Sequence, residues 1–111
     1  MSFPQFDARY VPQAKVTEYF LSTATQKAAG RYKFFVARGF ERQAWRVLHD
    51  ALLAHPIGAS VALARQDAYG DTWCATGPLR CPDGTAPVIR SFWIIRHDDP
   101  RPQLTSAIPD A

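Results

Sequence analysis

Cysteine is scarce in this chain, with only Cys74 and Cys81 among 111 residues. Two cysteines cannot build the disulfide framework of a small secreted domain. Their spacing also lacks the paired CxxC pattern of a structural zinc site. Two structural or free thiols in a reducing compartment are the expectation, with a cross-strand disulfide as the alternative. Long apolar runs are missing as well. The longest, such as Ser91 to Ile95, reach about a quarter of the ~20 residues that a membrane span requires. Met1 to Tyr10 show no charged-then-apolar leader pattern. A cytoplasmic protein with no membrane contact is expected. Enzyme signatures are equally thin: no Walker loop, GxGxxG, HExxH or GxSxG occurs. The acidic residues are scattered. Their one close pair, Asp98 and Asp99, lies in an expected turn before Pro100. Neither a metal site nor a cofactor is expected.

What is present is an ordinary globular composition, 47% hydrophobic and 13% aromatic. That excludes a long disordered tail. One domain over residues 1–111 is expected, with 1–11 as an extended leader. The net charge of +3 hides an asymmetry. Residues 1–50 carry eight Lys/Arg against four Asp/Glu, whereas 51–111 carry five against six. Between Lys27 and Arg46 the basic residues Lys27, Arg31, Lys33, Arg38, Arg42 and Arg46 meet only Glu41. Such a block is either a solvated helical face or a positive patch that attracts phosphate-bearing partners.

Periodicity divides the chain into helices and then strands. A first helix is expected over Pro12–Leu21, where Val16, Tyr19 and Phe20 recur near helical spacing. A second runs from Arg31 to Arg38, opened by Gly30 and closed by Gly39 as a C-cap. A third spans Glu41–Ala54, with Ala44, Trp45, Leu48, Ala51 and Leu52 inward and Arg42, Arg46 and Asp50 outward. His55-Pro56 ends it. Strands follow at Ser60–Arg65, Thr72–Thr76, Pro87–Arg96 and Leu104–Ile108. In the third, Ile89, Ser91, Trp93 and Ile95 face one way, and Val88, Arg90, Phe92, Ile94 and Arg96 the other. Segregated helices and strands give an α+β fold: two to three N-terminal helices, then a four-stranded antiparallel meander.

Few residues stand out for chemistry. Arg90 lies within the most hydrophobic strand and needs an anionic partner. That partner is an internal carboxylate or, on an open sheet face, a phosphate, whose oxygens suit the planar guanidinium fork. Arg31 and Lys33 carry the same ambiguity. His49, close to the basic helical face, is the histidine best placed as a general base. Trp45, Trp73 and Trp93 are expected in the core, with base stacking the lesser alternative.

Four blocks in order resemble a small domain family. That family occurs at the C-termini of filamentous-haemagglutinin-type adhesins and contact-dependent inhibition effectors, and as stand-alone bacterial proteins. Lys15-Val16-Thr17-Glu18-Tyr19-Phe20-Leu21 resembles its K-L-x-x-Y-L-L helix. Gly30-Arg31-Tyr32-Lys33-Phe34-Phe35 with Gly39-Phe40 is similar to G-x-x-K-A-x-F-F and G-F. Val88-Ile89-Arg90-Ser91-Phe92-Trp93-Ile94-Ile95 resembles V-R-T-x-W-I-I. Leu104-Thr105-Ser106-Ala107-Ile108-Pro109 resembles L-V-T-A-hydrophobic-P. The resemblance implies a toxin-like domain of the barnase/EndoU/colicin-type/RelE group of metal-independent ribonucleases. There an RNA 2′-hydroxyl attacks the adjacent phosphate while a base takes its proton and cations stabilise the added charge.

Carried onto this chain, the resemblance implies Arg31, Arg90 and Ser106 as catalytic residues; the residues' own pattern adds His49 as the candidate base. Lys27, Lys33, Arg38, Arg42 and Arg46 are the expected RNA-binding residues. A cognate antitoxin or immunity protein is the implied partner. The chain departs from the family at a frequent His-Pro pair, replaced by Thr25 and Gln26, at a lysine replaced by Arg31, and at an arginine replaced by Gln103. Two other readings stay open: a non-catalytic nucleic-acid-binding module, and a protein-interaction or inhibitor domain.

Overall fold

The computed structural model describes residues 2–23 and 26–110, with the side chains of 26–29 outside the description. The expected α+β order is observed, three helical segments followed by four strands. Helix α1 starts at Gln13–Lys15 behind Pro12 and continues as a π-helical turn over Val16–Phe20. Leu21 N–H closes that turn on the Val16 carbonyl at 2.9 Å.

Helix α2 covers Gln26–Val36 and so begins before the expected Arg31. Gln, Lys and Ala at 26–29 are good helix formers, and they carry the helix through Gly30 at a cost of about 1 kcal/mol. Its C-terminus is set by Gly39. Gly39 N–H donates to Val36 O and Phe40 N–H to Phe35 O, at 3.0 and 3.2 Å. That pair of bonds is a Schellman motif, which needs a left-handed residue at Gly39, where φ is 98°. The accompanying apolar contact joins Phe35 and Phe40, whose ring centroids are 6.0 Å apart. A 3-10 turn, Arg42–Ala44, leads into helix α3, Trp45–Ala54.

Strands β1 (Ser60–Gln66), β2 (Gly70–Pro78), β3 (Val88–Arg96) and β4 (Asp99–Pro109) form one antiparallel sheet in the order β1-β2-β3-β4. Gly70 permits the tight start of β2, since a Cβ there would strike the backbone of Ile95 and Arg96. The last strand is longer than the expected Leu104–Ile108, because the turn falls at His97-Asp98 rather than at Asp98-Asp99-Pro100. Pro100, Pro102 and Pro109 are tolerated because β4 is a sheet edge, where one row of N–H groups has no ladder partner. Along that edge Tyr10 adds a single parallel bridge to Gln103.

The leader is not simply extended. It forms a 3-10 turn at Phe6–Ala8 and carries Phe3 and Val11 into the core. The driving force is apolar burial: Phe3 packs on Phe6 and stacks on Trp93. Phe20, Phe35, Phe40, Leu48 and Leu52 bring the helices onto Ile89, Trp93, Leu104 and Ala107 of the sheet. Trp93 is fully buried, while Trp45 and Trp73 are half-buried against this cluster. Both cysteines are free. Cys81 is buried with its thiol donating to Leu79 O at 3.3 Å, and burial pushes that thiol up.

Candidate functional site

Strand alternation gives the sheet two unlike faces. Ile89, Ser91 and Trp93 of β3 point into the helical core. Arg90 and Phe92 therefore point the other way, away from the helices. Register extends that outer face across the sheet. Arg90 stands between Thr76 of β2 and Ile108 of β4, and Phe92 between Cys74 and Ser106. All six are half-buried. A bulge at Thr105, whose hydroxyl donates to Phe92 O at 3.3 Å, shifts the later β4 pairing by one residue. Toward the β1–β2 turn the same face runs through Thr72, Ile94 and Gln103, flanked by Arg65 and Arg96.

Arg90 and Ser106 thus meet on one face, as diagonal neighbours on adjacent strands. The Arg90 Nε sits 3.4 Å from an Asp110 carboxylate oxygen, with the two side chains 41% and 42% exposed. That contact is an ion pair without hydrogen-bond geometry, so the Nε proton, shielded from water, has no acceptor. An unmade bond at a charged donor is costly, and an incoming anion would relieve it. The Ser106 hydroxyl makes no hydrogen bond among the described residues. Asp110, held by its N–H on Val88 O at 2.9 Å, was not singled out in the sequence. It follows the proline-terminated strand, and only the β3–β4 register shows that it reaches Arg90.

The remaining sequence-derived residues are on the helical side. His49 is on α3, where its Nδ1 lies 2.8 Å from Asp50 Oδ1 and its ring meets Trp45 edge-on. The neighbouring Leu48 packs beneath the sheet, so His49 does not join Arg90 and Ser106. Arg31 on α2 is half-buried, with its Nε also lacking an acceptor. Arg38 donates to Phe34 O and lies 4.0 Å over the Phe34 ring. Arg42 pairs with Glu18 at 3.0 Å and donates to Thr17 O. Arg46 stacks over Trp45, and Lys33 is exposed. The Lys27 side chain lies outside the described residues, as does Thr25.

Among the clefts of the described residues, two lie beside helices α2 and α3. One, of about 640 Å³, is lined by Tyr32, Val36, Phe40 and the tethered Arg42. The other, of about 540 Å³, lies among Ala51, His55, Ile57, Pro78 and Arg80. Neither includes Arg90, Ser106 or Asp110. Among the described residues no group of three or more His, Cys, Asp or Glu could hold a metal ion. No helix of the described chain is long and apolar enough to cross a membrane.

The whole arrangement has a solved counterpart. A chain in the contact-dependent growth inhibition toxin–immunity protein complex from Klebsiella pneumoniae 342 superposes with a TM-score of 0.71 at 16% identity. The match covers 90% of this chain and 98% of that one, and at this identity it is a likeness of fold. No curated protein sequence matches the chain. A family model does match residues 2–111, and the chain therefore belongs to the family described as "Domain of unknown function (DUF6883)".

Proposed function

We propose that this chain is a toxin-type domain that cleaves RNA, with the substrate bound on the outer face of the sheet. The observation that carries this reading is the joint placement of Arg90, Ser106 and Asp110 on that open face. The fold likeness to a chain of a toxin–immunity complex supports the class and a cognate immunity partner. The substrate puts the work in the cytoplasm.

The Asp110 carboxylate takes the proton of an RNA 2′-hydroxyl. The 2′-oxygen attacks the adjacent phosphorus, the bond to the 5′-oxygen breaks, and water protonates that leaving oxygen. A cyclic phosphate and a 5′-hydroxyl result. Arg90 stabilises the charge that builds on the phosphoryl oxygens, through a donor that has no acceptor in the free protein. Ser106 donates its free hydroxyl to the same group. Exposed Lys33 and Arg46 on the helical side add a positive field that draws RNA from a distance.

The test is incubation of purified protein with total RNA in EDTA. Fragments ending in cyclic phosphate are expected, together with growth arrest on expression without a partner. Intact RNA at equimolar protein and normal growth would overturn the reading. An immunity-type role is the second reading, since the solved neighbour belongs to a two-component complex. It calls for protection of cells from a toxin rather than growth arrest.

A further inference from the structure

The chain contains seven phenylalanines. Six of them, Phe3, Phe6, Phe20, Phe34, Phe35 and Phe40, each have another aromatic ring within a centroid distance of 6.0 Å. Phe92 has no ring partner among the described residues, and no cation lies over it. It is also the one phenylalanine on the outer face of the sheet, half-buried between Cys74 and Ser106. It lies on the sheet face that points away from the helices. On the same strand and face, two residues earlier and about 7 Å away, stands Arg90 with its unmatched Nε donor.

An unpaired ring beside an unmatched guanidinium suits one chemical class. A nucleobase offers a flat π-surface and its backbone offers an anion, one for each group. We propose that Phe92 is a stacking platform for an unpaired nucleobase, with Arg90 holding the neighbouring phosphate. The inference rests on the RNA-cleaving reading above and narrows its substrate to single-stranded segments. A base within a duplex is already stacked on both sides and cannot lie on a protein ring. Trp93, next along the strand, cannot serve, because it faces the core and stacks on Phe3.

The experiment compares a labelled single-stranded RNA, protected by 2′-O-methyl groups, with its duplex. Binding is read by fluorescence anisotropy, and cleavage is read separately on unprotected RNA. The wild type is expected to bind the single strand more tightly than the duplex. Phe92→Leu keeps an apolar strand residue and is expected to lose about tenfold or more in single-strand affinity, leaving duplex affinity unchanged. Phe92→Trp is expected to restore binding, with tryptophan fluorescence quenched by RNA beyond any change in the wild type. Wild-type cleavage with equal affinities for wild type and Phe92→Leu would overturn the stacking site and leave the RNA reading intact. Absence of both binding and cleavage in the wild type would instead overturn that reading, and the stacking site with it. If circular dichroism shows Phe92→Leu unfolded, the quenching in Phe92→Trp decides, and no quenching overturns the proposal.

Discussion

His55 Nδ1 lies 2.8 Å from the Ser91 hydroxyl oxygen, in a part of the interior that water barely reaches. A histidine–serine pair invites reading as base and nucleophile, but its remaining bonds exclude that here. His55 Nε2–H donates to Gly77 O at 2.9 Å, which leaves Nδ1 as acceptor from the Ser91 hydroxyl. Trp93 Nε1–H in turn donates to Ser91 Oγ at 2.9 Å. The polar side-chain atoms of His55, Ser91 and Trp93 are all partnered, and this network locks the C-terminus of α3 to β2 and β3.

That lock makes stability depend on pH. Burial holds the His55 imidazole below its ordinary value, opposed by the carbonyls of Gly77 and Ile89. The unfolded chain therefore takes up the proton first. The contribution is full above the unfolded value of about 6.5 and fades as pH falls below it. The thermal midpoint is expected to drop between about pH 7.5 and pH 5. His55→Gln should melt lower at the upper pH, by about 1–3 kcal/mol of lost hydrogen bonding, and show a smaller further loss on acidification. A wild-type midpoint equal at both pH values would refute this.

Two glycines of the same helix are expected to respond oppositely to alanine. Gly39→Ala forces a left-handed alanine, and its Cβ would sit 3.1 Å from Pro82 Cβ and 3.2 Å from Asp83 N. The cost is roughly 1–2 kcal/mol. Gly30→Ala meets open space inside α2, and a gain of about 0.5–1 kcal/mol is expected from helix propensity. Urea midpoints of the two variants check both signs.

The helical caps and the strand alternation were legible because they are local. Gly39 after a helical run signals a C-cap, and alternation in Val88–Arg96 correctly separates Arg90 and Phe92 from Ile89, Ser91 and Trp93. What the sequence hid depends on distant register. Asp110 meets Arg90 only because β4 pairs with β3 through a bulge at Thr105, which nothing local announces. His55 reads as a helix terminator, yet its partners Ser91 and Gly77 lie 36 and 22 residues away. The basic block looked uniform as a string of charges. In the fold Arg38, Arg42 and Arg46 are engaged by neighbouring protein groups.

Arg90 and Asp110 can be tested for chemistry with little penalty in folding. Their ion pair is over 40% exposed on both sides, so breaking it should cost under ~1 kcal/mol. Asp110→Asn keeps the shape and removes the base, and RNA cleavage is expected to fall about 10²–10⁴-fold. Arg90→Ala should lose about 10²–10³-fold. Arg90→Lys should recover little, because an ammonium lacks the planar fork. Unchanged cleavage rates in folded Asp110→Asn would remove Asp110 from the mechanism.

The helical cations are not equivalent, and salt distinguishes them. The Lys33 side chain is exposed and, among the described residues, makes neither an ion pair nor a hydrogen bond. Arg42, 59% exposed, is committed to Glu18. A cation that neutralises an RNA phosphate releases counterions, so each contact adds about 0.7 to the slope of log affinity against log salt for a single strand. Lys33→Ala is expected to lower the slope by up to that amount and to weaken all sequences alike. Arg42→Ala should change the slope less, because Glu18 already screens its charge, and should cost under ~1 kcal/mol in stability. Affinity measured from low to moderate salt separates the two. A larger slope change for Arg42→Ala than for Lys33→Ala would mean that RNA displaces Glu18 and that the helical face contacts it directly.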